Sequence, residues 1–125
     1  MENRGRHSIK LIAQVQDCVA RVFELSRAEL LSRTRRQRVA CARQVAMYLC
    51  RDFARNPAEG RFGEGAWASF PRIGRAFERD HSSVIHAYRV VAQRRITDSE
   101  FAHLVDDLAR DLRVQTYRAP EEQDD

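Results

Sequence analysis

Apolar residues recur along this 125-residue chain at steps of three and four, the spacing of one helical face, and nowhere alternate as a strand would. Ile12, Val15, Val19 and the pair Val22/Phe23 mark a first helix over about 8–24. Ser26 and Glu29 in SRAE have capping-box spacing, each side chain satisfying a backbone N–H that a helix start leaves unpaired. They open a short second helix ending near Leu31. A connection, SRTRRQR (32–38), then carries four arginines in seven residues. A long third helix follows, with Val39, Ala42, Ala46, Leu49 and Phe53 along one stripe.

The periodicity stops at ARNPAEGRFGEGAWASF (54–70), whose three glycines and one proline read as a loop. Its GRFGEG is set aside as a phosphate loop, because no strand precedes it and no GK[ST] follows. From Ser69, SFPRIGRAF predicts a short helix capped by Ser69, with Pro71 in the first turn, where a missing N–H costs nothing. Ile73, Gly74 and Phe77 are its inward residues. After a break at Glu78–Asp80 another helix runs to about Arg95. Thr97 and Glu100 form a second capping-box pattern before a last helix marked by Phe101, Leu104, Val105, Leu108 and Leu112. Residues 1–7 are expected to be a flexible N-terminus. Residues 114–125 have little to bury and are expected to be an acidic, disordered tail. The fold class is all-α: a compact bundle of about six helices forming one domain over 8–113.

Composition narrows the partners. Hydrophobic residues make up 43% and charged residues 32%, as in ordinary globular domains. No apolar run approaches the roughly 18 residues that span a bilayer, and MENRGRHSIK lacks a signal-peptide core, so a cytoplasmic protein without a membrane partner is expected. Cys18, Cys41 and Cys50 show no paired spacing and are expected to be reduced and structural. The net charge of +4 conceals an asymmetry: the last seven residues, APEEQDD, hold four acids, and without them the remainder carries +8. Lys10 is the sole lysine, so the basic character is arginine. A basic body favours a polyanionic partner.

The densest chemistry lies in ERDHSSVIHAYRVV (78–91). As a helix, Val84, Ala87, Tyr88 and Val91 share the core side, while His81, Ser82, Ile85, His86 and Arg89 fall on the other. Asp80 takes the N-cap position, where a carboxylate suits the helix dipole. His81 and His86 are five apart, not the i,i+4 of a helical metal pair, and no cysteine lies near; no metal and no other cofactor is expected. Ser–His–Asp chemistry lacks a nucleophile elbow, so no enzyme is expected. One alternative is an ordinary helix with a solvated polar face. The other is the second helix of a helix-turn-helix, whose N-terminal residues meet base edges in the major groove.

RDHSSVIHAYRVV closely resembles the signature that opens the recognition helix in the C-terminal DNA-binding domain, domain IV, of the bacterial replication initiator DnaA. RVFELSRAELLSRTRRQRVACARQVAMYL (21–49) is similar to that family's first helix end, short second helix, basic loop and long helix. PRIGRAF (71–77) is similar to its first helix-turn-helix element. The resemblance runs from about Ser8 to Arg113 and implies a helix-turn-helix bundle of the Trp-repressor and domain IV type. It implies base contacts by Asp80, His81 and Ser82, a phosphate contact by Ser83, and approach of Ile85 and His86 to a thymine methyl or the opposite backbone. Arg35 matches the arginine that enters the minor groove, where width reports A·T content. Arg33, Arg36, Arg38, Arg43, Gln44 and Arg89 are assigned to phosphates or the groove edge.

Three departures stand out. Glu78 replaces the glycine usual before RDH, Ser82 and Ser83 replace frequent threonines, and the 54–68 stretch is an insertion in which Trp67 is expected to anchor in the core. The chain carries no Walker A motif and no room for an ATPase module, so a free-standing, nucleoid-associated reader of double-stranded DNA is expected. Its sites would resemble initiator boxes, and its role would be regulation of replication initiation or transcription, with a homodimer among the expected forms. The alternative is a protein-interaction module acting on the replication initiator or its regulators.

Overall fold

A computed structural model describes the backbone of residues 2–55 and 69–123 and the side chains of 10–52 and 69–115. Among the described residues there are six helices and no strand: α1 (Glu2–Val22), α2 (Arg27–Leu31), α3 (Gln37–Arg55), α4 (Phe70–Phe77), α5 (His81–Thr97) and α6 (Ser99–Gln123). The all-helical bundle read from the apolar spacing is the fold observed.

α3 is its axis. Residues 45–50 are buried all round the helix, as are Val39 and Ala42, and an element apolar on every side belongs at the centre. α1, α2, α4 and α5 pack around it, and α6 closes the bundle against α1 and α5. Ile12, Val15 and Val19 of α1, Leu30 of α2, Ile73 and Phe77 of α4, and Val84, Ala87 and Val91 of α5 meet in one core. Phe101, Val105, Leu108 and Leu112 of α6 complete it. Each fully buried Val, Leu, Ile or Phe side chain stabilises the fold by roughly 1.5–3 kcal/mol. All three cysteines are free; Cys18 and Cys50 lie in the core, where burial pushes both thiols up.

Helix ends depart from the sequence reading in instructive ways. α1 begins at Glu2 rather than near residue 8, and α6 runs to Gln123, past Arg113. Once a helix is nucleated by a packed stretch, each added residue gains a hydrogen bond for the backbone freedom it loses. Val22, expected on the core stripe, is 45% exposed, and Phe23 packs against the core in its place. The Thr97–Glu100 capping box is not formed. Thr97 is the last residue of α5, its hydroxyl 3.5 Å from the carbonyls of Gln93 and Arg94. Asp98 caps α6 instead, its carboxylate accepting from the Phe101 N–H at 3.1 Å. That bond holds the Asp98 carboxyl below its ordinary range. Most of the 54–68 insertion, Trp67 included, and the Phe53 side chain lie outside the described residues.

Two helices end by the same device. After α1 the Leu25 N–H donates to Ala20 and the Glu24 N–H to Arg21; after α4 the Arg79 N–H donates to Gly74 and the Glu78 N–H to Arg75. Each is a Schellman turn, which requires a left-handed residue at its bend. Here both are glutamates, Glu24 at φ 60° and Glu78 at φ 56°.

Candidate nucleic-acid interface

α4 and α5 form the helix-turn-helix. Ser69 opens α4 by accepting from the Arg72 N–H at 3.2 Å, with Pro71 in the first turn as expected. The turn between the helices passes so close to α4 that a Cβ on Gly74 would stand 2.6 Å from the Arg79 carbonyl oxygen. α5 then starts at His81 with Asp80 as an extended N-cap, but the Asp80 side chain makes no cap bond to the backbone. Its carboxylate accepts instead from the Ser82 hydroxyl at 2.6 Å, and His81 Nδ1 lies 3.5 Å away. The Ser82 bond is charge-assisted, as a backbone cap on the same carboxylate would be. It also holds the Asp80 carboxyl below its usual range.

Along α5 the faces divide as the spacing requires. Val84, Ala87 and Val91 are buried, and Tyr88 is half-buried with its ring stacked 4.9 Å from that of Tyr48. His81, Ser82, Ser83, His86 and Arg89 are exposed, and Ile85 is half-buried. Gln44 of α3 shares a recess with Ser82, Ser83 and His86.

The basic connection lies beside this turn. Its shape comes from short polar side chains. The Ser26–Glu29 capping box forms as predicted, the Ser32 hydroxyl donates to the Glu29 carbonyl at 2.7 Å, and the Arg36 N–H donates to the Thr34 hydroxyl at 3.3 Å. Arg33, Arg35 and Arg36 are exposed and make no ion pair among the described residues. Arg79 crosses from the helix-turn-helix to the loop, its Nη2 donating to the Ser32 carbonyl at 2.7 Å and its Nη1 to Phe77 at 3.0 Å. The first turn of α5 and the arginine loop therefore stand side by side.

Two assigned arginines make their hydrogen bonds within the protein. Arg43, expected at a phosphate or the groove edge, is 9% exposed. Its Nε donates to the Leu30 carbonyl at 3.0 Å, and its Nη2 to Ser32 at 2.8 Å and Thr34 at 3.4 Å. It holds the loop from beneath. Arg38, expected at a phosphate, is exposed and in the free protein donates to the Phe23 carbonyl and pairs with Glu24 at 3.3 Å. Burial lowers the pKa of Arg43 and of Arg79, and the charge of Arg33 lowers both further. Three like charges are thus concentrated beneath and beside the exposed face.

Comparison with known proteins bears on this geometry. Residues 12–60 match the model for the bacterial dnaA protein helix-turn-helix. That match ends within the glycine-rich stretch before α4. The chain is 36% identical over 103 residues to the chromosomal replication initiator protein DnaA of Levilactobacillus brevis, covering 82% of this chain and 20% of that protein. It is 40% identical over 90 residues to the DnaA of Sphingopyxis alaskensis, covering 71% and 17%. A crystal structure of a DNA replication initiation factor superposes with a TM-score of 0.73 at 31% identity, over 91% of this chain and 32% of that one. The chain belongs to the bacterial DnaA helix-turn-helix family. It spans about a fifth of the length of the curated DnaA relatives it matches.

Within this DnaA-type fold, Glu78 has a structural meaning beyond its charge. It occupies the left-handed bend of the α4 Schellman turn, the position where a side chain is strained and glycine is not. Glu78→Gly is therefore expected to raise stability by about 1 kcal/mol, the usual penalty of a side chain in this conformation. Urea unfolding monitored by circular dichroism checks it; an unchanged or lower midpoint would contradict the strain at this bend.

Sequence reasoning missed Arg79 as a structural link, although it stands inside the RDH motif. It also missed the burial of Arg43, for which a signal existed. Arg43 lies four residues after Val39 and three before Ala46, on the apolar stripe itself.

Proposed function

We propose that this protein binds double-stranded DNA sequence-specifically at sites resembling DnaA boxes. The observation that carries the reading is the juxtaposition of two exposed surfaces across the Arg79–Ser32 bond: the polar first turn of α5 and the loop bearing Arg33, Arg35 and Arg36. In this reading Asp80, His81 and Ser82 meet base edges in the major groove, with Ile85 against a thymine methyl. Ser83, His86, Arg89, Gln44, Arg33 and Arg36 fix the register on phosphates, and Arg35 enters the neighbouring minor groove. An uncompensated arginine cluster is costly alone and is relieved by a polyanion, which favours the same partner. The cellular role that fits a box reader is regulation of replication initiation or of transcription near such boxes.

Fluorescence anisotropy with box-containing and scrambled duplexes at two salt concentrations tests the proposal. A preference for the box and a fall of log affinity with log salt are expected. Arg35→Ala should weaken box binding by roughly 1–3 kcal/mol, and His81→Ala should narrow the gap between box and scrambled duplex. Equal, salt-insensitive affinities for both duplexes would sink the reading and favour the protein-interaction alternative.

A further inference from the structure

We infer that Arg79 is a positioning residue that sets the distance between the two DNA-reading elements, acting through the backbone carbonyl of Ser32 rather than on DNA itself. The inference rests on the proposed DNA reading and extends it to a residue with no assigned role.

Arg79 is half-buried, and both of its terminal nitrogens are committed: Nη1 to the Phe77 carbonyl at 3.0 Å, Nη2 to the Ser32 carbonyl at 2.7 Å. The first acceptor ends α4, and the second begins the basic loop, 47 residues earlier in the chain. A planar fork with fixed donor directions ties two acceptors at a set separation, which a flexible ammonium does not do. Ser32 is also the acceptor for Arg43 Nη2 at 2.8 Å, so this one carbonyl is held from α3 and from the helix-turn-helix turn together. Arg35 lies only three residues further on, and the intervening Thr34 carbonyl is itself held by Arg43 at 3.4 Å.

The requirement is geometric. A minor-groove side chain and a major-groove helix engage one duplex together only when their spacing matches the phosphate ridge between the grooves. Arg43 fixes the loop to the body of the bundle. Arg79 fixes it to the start of α5, the element whose first turn must enter the major groove. Two charged donors crowd one carbonyl while Arg33 adds a third positive charge nearby, an arrangement that surface solvation alone would not assemble.

A double-mutant cycle on box-containing duplex tests this, using Arg35→Ala, Arg79→Ala and the double variant of the full chain. With Arg79 present, Arg35→Ala should weaken binding roughly tenfold or more. In the Arg79→Ala background the same change should cost less than about threefold, because the loop no longer delivers Arg35. Replacing A·T pairs by G·C pairs in the minor-groove flank should likewise lower the affinity of the wild type and leave that of Arg79→Ala nearly unchanged. A phosphate contact would instead weaken all duplexes alike and give an additive cycle, and that outcome overturns the inference. Amide hydrogen exchange of the DNA-free proteins supplies an independent arm: Arg79→Ala should speed exchange across residues 32–36 while α1 and α6 stay protected. Unchanged exchange in the loop counts against the inference whatever the duplexes show. Should Arg79→Ala fail to fold, Arg79→Lys, which keeps the charge and loses the fork, is carried through the same cycle and judged by the same criterion. A wild type that does not distinguish box from scrambled duplex removes the DNA reading, and this inference with it; a selective wild type with an additive cycle removes the inference alone.

Discussion

Gly74→Ala is expected to destabilise the protein by about 1–3 kcal/mol, the usual range for overpacking. The sign is the informative part. At an ordinary helical position alanine is favoured over glycine by about 1 kcal/mol, because glycine loses more backbone freedom on folding. Gly74 lies inside α4, so propensity alone predicts a gain. Against it stands the Arg79 carbonyl oxygen, 2.6 Å from where a Cβ would sit, with the His81 nitrogen at 3.4 Å. Both are backbone atoms of the turn, and neither can swing aside as a side chain would. The strain falls on the residues that aim α5, so box affinity should drop along with stability. Urea unfolding gives the result directly: a lower midpoint at unchanged slope. Arg75→Ala, the exposed neighbour on the same helix, is the control and should stay within about 0.5 kcal/mol of the parent. A Gly74→Ala protein more stable than its parent would show that α4 and the turn do not approach as described.

The sequence was most readable where one signal dominated. Ile12, Val15 and Val19, or Val84, Ala87 and Val91, point one way because only a 3.6-residue period brings them together. Ser26 with Glu29, and Ser69 with Pro71, are reliable starts because each meets a backbone need that little else nearby can meet. Where two signals overlapped, pattern did not decide. TDSE holds two adjacent caps: Thr97 paired with Glu100, or Asp98 facing the Phe101 N–H. The second prevails because a carboxylate is the stronger acceptor. That choice also lets α5 keep Thr97.

The candidate site was legible in outline. The exposed face of α5, from His81 to Arg89, follows from helical spacing, and so does its separation from the core. Its adjacency to the arginine loop does not, since Ser32 and Arg79 are far apart in the chain and meet only through the packing of α3 with α5. Among six nearby arginines, composition also treats as equal what the structure separates: Arg33, Arg35, Arg36 and Arg38 are exposed, Arg38 with a hydrogen bond to the α1–α2 turn, while Arg79 ties and Arg43 supports.

Arg43→Ala carries that distinction to a measurable end and is expected to cost roughly 2–4 kcal/mol of stability. A hydrogen bond to a charged group contributes about 1.5–3 kcal/mol, and a buried acceptor left without a partner costs about 1–3 kcal/mol. Arg43 donates to three carbonyls from a nearly closed site. Ser32 would keep its bond to Arg79, whereas Leu30, whose carbonyl lies in the last turn of α2, would lose its side-chain donor. Arg43→Lys should recover only part of the loss, because one ammonium on a flexible stem cannot span Leu30 and Ser32 in the plane of a fork. Exposed Arg36→Ala sets the scale and should change stability by less than about 0.5 kcal/mol. DNA binding adds a second axis. An arginine acting only on phosphate would weaken binding in proportion to salt sensitivity and leave the unfolding midpoint alone. The buried arginine should do the reverse, lowering the midpoint sharply in DNA-free protein. Equal midpoints for Arg43→Ala and Arg36→Ala would return Arg43 to the groove edge where the sequence alone had put it.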